Sequence, residues 1–230
     1  MTIQNALTVD VEDYFHVSAF ANSIDQGDWG KHPVRVESNT RRLMELFDEH
    51  QVKATFFVLG WVAERSRELI REIADRGHEV ACHGYSHQLV YNQSPEVFRE
   101  ETRRSKQLLE NIIQAPVRGY RAASYSITQR SRWALDILVE EGFEYDSSIF
   151  PVRHDRYGIP GTPDMPYHLQ TLSGYTLVEF PLSVARLFGY HLPVAGGGYF
   201  RLYPYALSRA GLLQINRRNN PFIFYLHPWE

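Results

Sequence analysis

Residues 53–87 read KATFFVLGWVAERSRELIREIADRGHEVACHGYSH. Lys53–Leu59 is a short apolar run, rich in β-formers, that Gly60 stops. Val62–Arg76 spaces its apolar residues as one face of a helix, and Gly77 follows as a natural C-cap. Glu79–Cys82 is the next short strand. A strand, a helix and a strand within about 30 residues are what two parallel strands joined by a right-handed crossover require. Two histidines, His83 and His87, follow directly on the second strand.

The same alternation continues in both directions. Ala6–Val11 is apolar and β-prone, and Glu37–His50 carries Leu43, Leu46 and Phe47 at helical spacing. Pro95–Ile113 is predicted as a long helix, with Ser94 as N-cap and Pro95 at the first helical position. Gly119–Ala123, Phe143–Asp146, Thr176–Phe180 and Phe222–Leu226 are predicted strands; Gln129–Glu141 and Tyr205–Arg218 are predicted helices. Two stretches have no period. One spans about 150–175 with Pro151, Pro160, Pro163 and Pro166; the other surrounds Gly196-Gly197-Gly198. Both are expected to be surface loops that shape a site. The class is α/β, and a barrel or a doubly wound sheet satisfies the pattern. No repeat or linker divides the chain, so residues 1–230 are expected to form a single domain.

Composition narrows the function. Twenty-four basic and 27 acidic side chains among 230 residues give a net charge of −3, unsuited to a duplex-binding surface, which needs clustered Lys and Arg. No nucleic-acid partner is expected. Cys82 is the only cysteine, so no internal disulfide forms. No apolar run reaches the roughly 18 residues that a membrane span needs. The opening residues lack the basic and apolar regions of a signal peptide, which points to a cytoplasmic location. The absence of GxGxxG, P-loop and GxSxG patterns removes support for nucleotide binding and serine esterase chemistry. The sequence leaves open whether the chain forms a homo-oligomer.

The reactive side chains gather at predicted strand ends, where parallel α/β folds collect catalytic groups. His83 and His87, four residues apart, can meet one metal ion if the segment turns helically. Asp10, Glu12 and Asp13 crowd three carboxylates into four positions, a repulsion that a divalent cation relieves. Two imidazoles and a carboxylate with an open position make a familiar catalytic metal site. Arg121, in Gly119-Tyr-Arg-Ala-Ala-Ser-Tyr125, suits a bidentate clamp on a carboxylate. Asp146 ends another strand before Ser147 and Ser148. His227 leaves the apolar strand Phe222–Leu226 beside Trp229, placed for general-acid work. Cys82, a small apolar residue within a strand, is expected to be inert.

In this order the motifs resemble the metal-dependent polysaccharide deacetylases, carbohydrate esterase family four. The opening Thr8-Val-Asp-Val-Glu-Asp-Tyr-Phe-His16 and the segment Glu179-Phe-Pro-Leu-Ser183 are similar to one branch, associated with bacterial exopolysaccharide and exosortase loci. The resemblance implies a distorted (β/α)7 barrel and a divalent metal, usually zinc, held by His83, His87 and one acid. Members usually carry that acid directly after the base, where this chain has Val11. Side-chain alternation favours Glu12 as the metal ligand; a sharp turn favours Asp13. By the same resemblance Asp10 is the general base, Arg121 holds it, and His227 is the general acid, oriented by Asp146. A backbone N–H of Ser124 or Tyr125 contributes to the oxyanion site, and Leu226 lines a pocket for the acetyl methyl. The implied reaction removes N-acetyl groups from a poly- or oligosaccharide. Tyr14, Tyr125, Trp229 and the tyrosines of 199–205 are candidates for stacking on sugar rings. The alternative is hydrolysis of a cyclic amide or imide, an allantoin-like ring, at the same metal site.

Overall fold

The computed structural model describes residues 3–230. In chain order the elements are β1 (Ala6–Val11), α1 (Val36–Glu49), β2 (Thr55–Val58), α2 (Gly60–Arg65), α3 (Arg67–Asp75), β3 (Glu79–Cys82), α4 (Pro95–Ile113), β4 (Gly119–Tyr120), α5 (Trp133–Glu140), β5 (Tyr145–Asp146), β6 (Tyr167–Gln170), β7 (Thr176–Glu179), β8 (Val184–Leu187), β9 (Tyr190–Pro193), α6 (Gly197–Leu202), α7 (Tyr205–Arg217) and β10 (Ile223–Leu226). The main sheet runs β10-β1-β2-β3-β4-β5-β7-β6 and curls into a half-barrel. Seven of its strands are parallel, and β6 runs antiparallel to β7 at one edge. The architecture is the expected α/β barrel type.

Burial explains the elements. Strands β1 (ALTVDV) and β2 (TFFV) bury successive residues on both faces, because helices cover one side and the barrel interior the other. Helix α1 buries Val36, Thr40, Met44 and Phe47, one stripe at helical spacing. Helix α4 starts where the sequence puts it: Ser94 Oγ accepts the Val97 N–H at 3.3 Å, with Pro95 in the first turn. The stripe Phe98, Thr102, Ser105, Leu109 and Ile112 then faces inward.

Four expectations are corrected. Val62–Arg76 is two helices, α2 and α3, broken at Ser66, whose hydroxyl donates to Glu37 Oε1 at 2.7 Å. Gly119–Ala123 is a strand only as far as Tyr120, after which residues 123–125 form a 3-10 turn. Gln129–Glu141 begins as a separate 3-10 turn before α5. The two stretches read as irregular contain β6 and α6, and the β8–β9 hairpin between them was not predicted; all are short elements without a periodic signal. The hairpin is tied to α7 by the Gln214 amide, which bonds the Arg186 N–H and carbonyl at 2.7 Å each. No helix among the described residues is long and apolar enough to cross a membrane.

Candidate active site

Strand β1 delivers its carboxylates to the C-terminal rim of the sheet, between the rims of β2 and β10. Asp10 and Glu12 share one side of the chain, as alternation requires, and both are buried. The ligand atoms of Glu12, His83 and His87 lie within 4.8 Å of one another. Residues 83–87 bring the two histidines together through a bend rather than the expected helical turn. Gly84 at φ +73° and His87 at φ +51° make that bend. The loop is pinned to the start of α2 by the Gly60 N–H on the Gly84 carbonyl at 2.8 Å and the Trp61 N–H on the Tyr85 carbonyl at 3.1 Å.

The donor set fits a cation. His83 Nδ1 lies 2.8 Å from the Arg121 carbonyl. A carbonyl only accepts, so Nδ1 carries the proton and Nε2 presents its lone pair. His87 Nε2 and Glu12 Oε2 approach to 2.7 Å, yet Glu12 Oε2 has no hydrogen-bond partner of acceptable geometry. A buried carboxylate oxygen without a partner, beside two imidazoles, is an arrangement that a divalent cation satisfies. Burial would raise the Glu12 carboxyl, but His87, His227 and His83 together hold it well below the usual carboxylate range. Burial lowers His83, against the pull of Asp10 and Glu12, favouring the neutral imidazole that metal ligation needs.

Asp13 belongs elsewhere, which corrects one of the two expected metal carboxylates. Its Oδ2 accepts the N–H groups of Arg35 and Val36 at 2.6 and 2.9 Å, and its Oδ1 the Tyr14 N–H at 3.0 Å. It caps the start of α1 with both oxygens engaged, and it lies outside the cluster of Glu12, His83 and His87. His16 Nδ1 accepts the Asp13 N–H at 2.8 Å while its ring packs edge-on to Trp29 and Trp61. Burial takes its pKa down to about 3, so it stays neutral.

Arg121 is fully buried. Its Nη1 donates to Asp10 Oδ1 at 2.7 Å and to Thr8 Oγ1 at 2.8 Å, while Nε and Nη2 bind the Ser147 carbonyl and hydroxyl at 3.1 and 2.9 Å. The contact with Asp10 is therefore through one oxygen, not the expected bidentate clamp. Burial would raise Asp10, but Arg121, with His83 and His227, more than offsets it and holds the carboxyl below its usual value. The Tyr125 hydroxyl lies 3.4 Å from the other oxygen, Oδ2. His227 Nε2 is 3.5 Å from Glu12 Oε1 and 3.9 Å from Asp10 Oδ2.

Between the two oxyanion candidates, the Tyr125 N–H is already spent on the Ala122 carbonyl at 3.0 Å. Ser124 and Tyr125 both sit at positive φ, +50° and +55°, a strained pair of non-glycine residues at the cleft wall. Two further expectations fail. Leu226 does not line the cleft; alternation along β10 turns Tyr225 and His227 inward and Leu226 away. Asp146 does not meet His227. It accepts from Ser148 Oγ at 2.6 Å and from the Ser148 N–H at 3.2 Å, and it faces Glu179. The carboxylate beside His227 is Glu230, with Oε2 3.2 Å from Nδ1. Sequence reasoning passed over Glu230, although its place three residues after a histidine was a usable signal.

These groups line a cleft of about 530 Å3 whose walls include Tyr157, Tyr225 and Trp229. The Pro-rich stretch supplies one wall through His154 and Tyr157, as expected of a site-shaping loop. Tyr125 and Trp229 face the cleft, Tyr14 does not, and Tyr199 stands behind Tyr157 with hydroxyls 3.0 Å apart. Cys82 is buried beneath His83, and burial pushes its thiol up to about 12.

The polysaccharide deacetylase profile matches residues 19–139, more than half of the chain, and a domain of unknown function (DUF3473) matches residues 147–230. The chain belongs to the polysaccharide deacetylase family. It is 26% identical over 141 residues to the peptidoglycan deacetylase of Helicobacter pylori, which covers 61% of this chain and 44% of that protein. The chain thus spans less than half the length of that relative. A Mycobacterium smegmatis protein described as a candidate polysaccharide deacetylase has the same fold, with TM-score 0.67, 24% identity, and coverage of 99% of this chain and 82% of that one. The allantoinase PuuE shares the fold at TM-score 0.64 and 16% identity, over 97% of this chain and 77% of that one.

Proposed function

We propose that this chain is a metal-dependent hydrolase that removes N-acetyl groups from sugar residues of a bacterial polysaccharide. The observation that carries the reading is the convergence of Glu12, His83 and His87 within 4.8 Å, flanked by Asp10 and His227. Glu12 Oε2, His83 Nε2 and His87 would hold the cation, and two nitrogens with one oxygen suit zinc. A divalent cation there would polarise the acetyl carbonyl and acidify the attacking water.

The protein's own groups do the rest. Asp10, kept ionised by Arg121, accepts the proton of the attacking water. A backbone N–H in the Ser124–Tyr125 turn faces the oxyanion, and the Ser124 N–H is the better candidate because that of Tyr125 is committed. His227 donates a proton from Nε2 to the departing amine. The aromatic walls Tyr157, Tyr225 and Trp229 support a saccharide, whose ring faces stack on such side chains. A cleft this broad also argues against an imide ring, which calls for a closed pocket. The opening and Glu179–Ser183 motifs favour an exopolysaccharide as the polymer.

Acetate release from a panel of acetylated oligosaccharides, run beside an imide panel with and without chelator, tests the reading. Chelator-sensitive acetate release is expected, with Asp10→Asn retaining metal and losing about 10²–10⁴-fold in kcat. Turnover of the imides alone, or acetate release indifferent to chelator, would overturn it.

A further inference from the structure

We infer that Glu230, braced by Arg201, is the positioning carboxylate of His227, so that the segment 147–230, which carries no assigned role, supplies the proton-donating end of the active site. The inference rests on the reading of His227 as general acid. Glu230 Oε2 takes two donors from the same residue, the His227 backbone N–H at 2.9 Å and the ring Nδ1 at 3.2 Å. A carboxylate only accepts, so Nδ1 holds a proton and Nε2 is the nitrogen left facing Asp10 and Glu12. The Trp229 ring lies against the imidazole at 4.8 Å between centroids and 23° between planes, which removes the remaining freedom of rotation.

The carboxylate is itself held. Arg201 Nη2, from α6, donates to Glu230 Oε1 at 3.2 Å. Gly197 opens the same helix, and a Cβ at that position would collide with the Glu230 carboxylate. The glycine run that reads as an irregular loop is therefore a cradle for one side chain. Asp146, the carboxylate the family pattern offers for this task, is turned to Ser148 and Glu179 instead. The histidine, its carboxylate, the brace and the cradle all lie within residues 147–230.

The chemical consequence lies in the leaving group. As the C–N bond breaks, its electron pair goes to nitrogen, which takes the proton from His227 Nε2. The Nδ1 proton stays on the ring, hydrogen-bonded to Glu230. The amine leaves neutral, and the negative charge leaves with acetate. An aryl acetate differs in that its phenolate departs without a proton.

The metal-loaded protein is therefore assayed on an acetylated chitooligosaccharide and on an aryl acetate, as wild type, Glu230→Gln and His227→Ala. Glu230→Gln is expected to lose on the order of 10²-fold in kcat on the amide, with little change in KM, a far smaller loss on the ester, and full metal content. Equal losses on both donors, or no loss on either, would overturn the inference. Arg201→Ala, a change at a half-exposed side chain, should show the same amide-selective pattern more weakly and guards against misfolding of the first variant. Histidine-selective 15N NMR separates this inference from the deacetylase reading. A proton on Nδ1 of His227 in the wild type, whether the ring is neutral or charged, that is lost in Glu230→Leu is expected whatever the substrate, whereas a neutral ring with Nδ1 unprotonated and the proton on Nε2 alone would refute the positioning role. A wild type that shows the Nδ1–H form but leaves the amide intact would count against the deacetylase reading and leave the positioning of His227 standing.

Discussion

Asp10, Glu12 and Asp13 are near neighbours in sequence with three different tasks, and geometry alone assigns them. Asp10 turns toward Arg121, Glu12 toward the histidines, and Asp13 back onto the backbone of residues 35 and 36. The difference is measurable. Glu12→Ala should abolish stoichiometric metal binding by elemental analysis and leave stability nearly intact once chelated. Asp13→Ala should keep its metal and lose about 1–2 kcal/mol in denaturant unfolding, the usual cost of a lost helix cap. Metal loss from the Asp13 variant would reverse the assignment. Most of this site was legible from residue type and strand-end position: Asp10, Glu12, His83, His87, Arg121 and His227 do converge. Asp146 was misread because a buried carboxylate can pair with another acid by sharing a proton, and no spacing rule signals that. Tyr225 was missed because the family resemblance offered Leu226, whereas strand alternation puts residue 225 on the same side as His227.

At the scale of elements, the bend between β3 and α4 matters most, because it replaces the helical turn that an HxxxH pair suggests. Gly84 at φ +73° lets the chain reverse, so that both imidazoles reach Glu12. Gly84→Ala should cost about 1–2 kcal/mol of stability and weaken metal affinity in a competition titration, the histidines no longer converging; unchanged affinity would show that the bend tolerates a side chain. Long or well-capped elements were readable, as Ser94-Pro95 and α4 illustrate. Elements of two to six residues were not, because β6, β8, β9 and α6 are held by neighbours rather than by their own periodicity. The break at Ser66 escaped notice for a similar reason, since the residues on either side keep one continuous apolar face.

At the scale of the whole molecule, the buried pair Asp146 and Glu179 joins β5 to β7 and sits beneath the Arg121 network. Burial raises Asp146 to about 6; burial and then Asp146 raise Glu179 well above its usual value. Folded values above unfolded ones mean that the stability from this pair is fully present below about pH 4 and is lost as pH rises through the folded values. Wild-type Tm should therefore fall between pH 5 and pH 8. Glu179→Gln, which donates without needing a proton, should be no more stable than wild type at pH 5 and more stable at pH 8, each kcal/mol moving Tm by about 2–4 °C. Parallel Tm profiles for the two proteins would sink this account. The sheet carries a further consequence. Strand β1 pairs with β10, Ala6 against Ile223, so the proposed base and acid come from opposite ends of the described chain and are joined across one ladder of hydrogen bonds. On the proposed mechanism, a nascent polypeptide on the ribosome lacks its proton donor until β10 emerges and docks on β1, so catalytic competence would be switched on by the completion of the sheet.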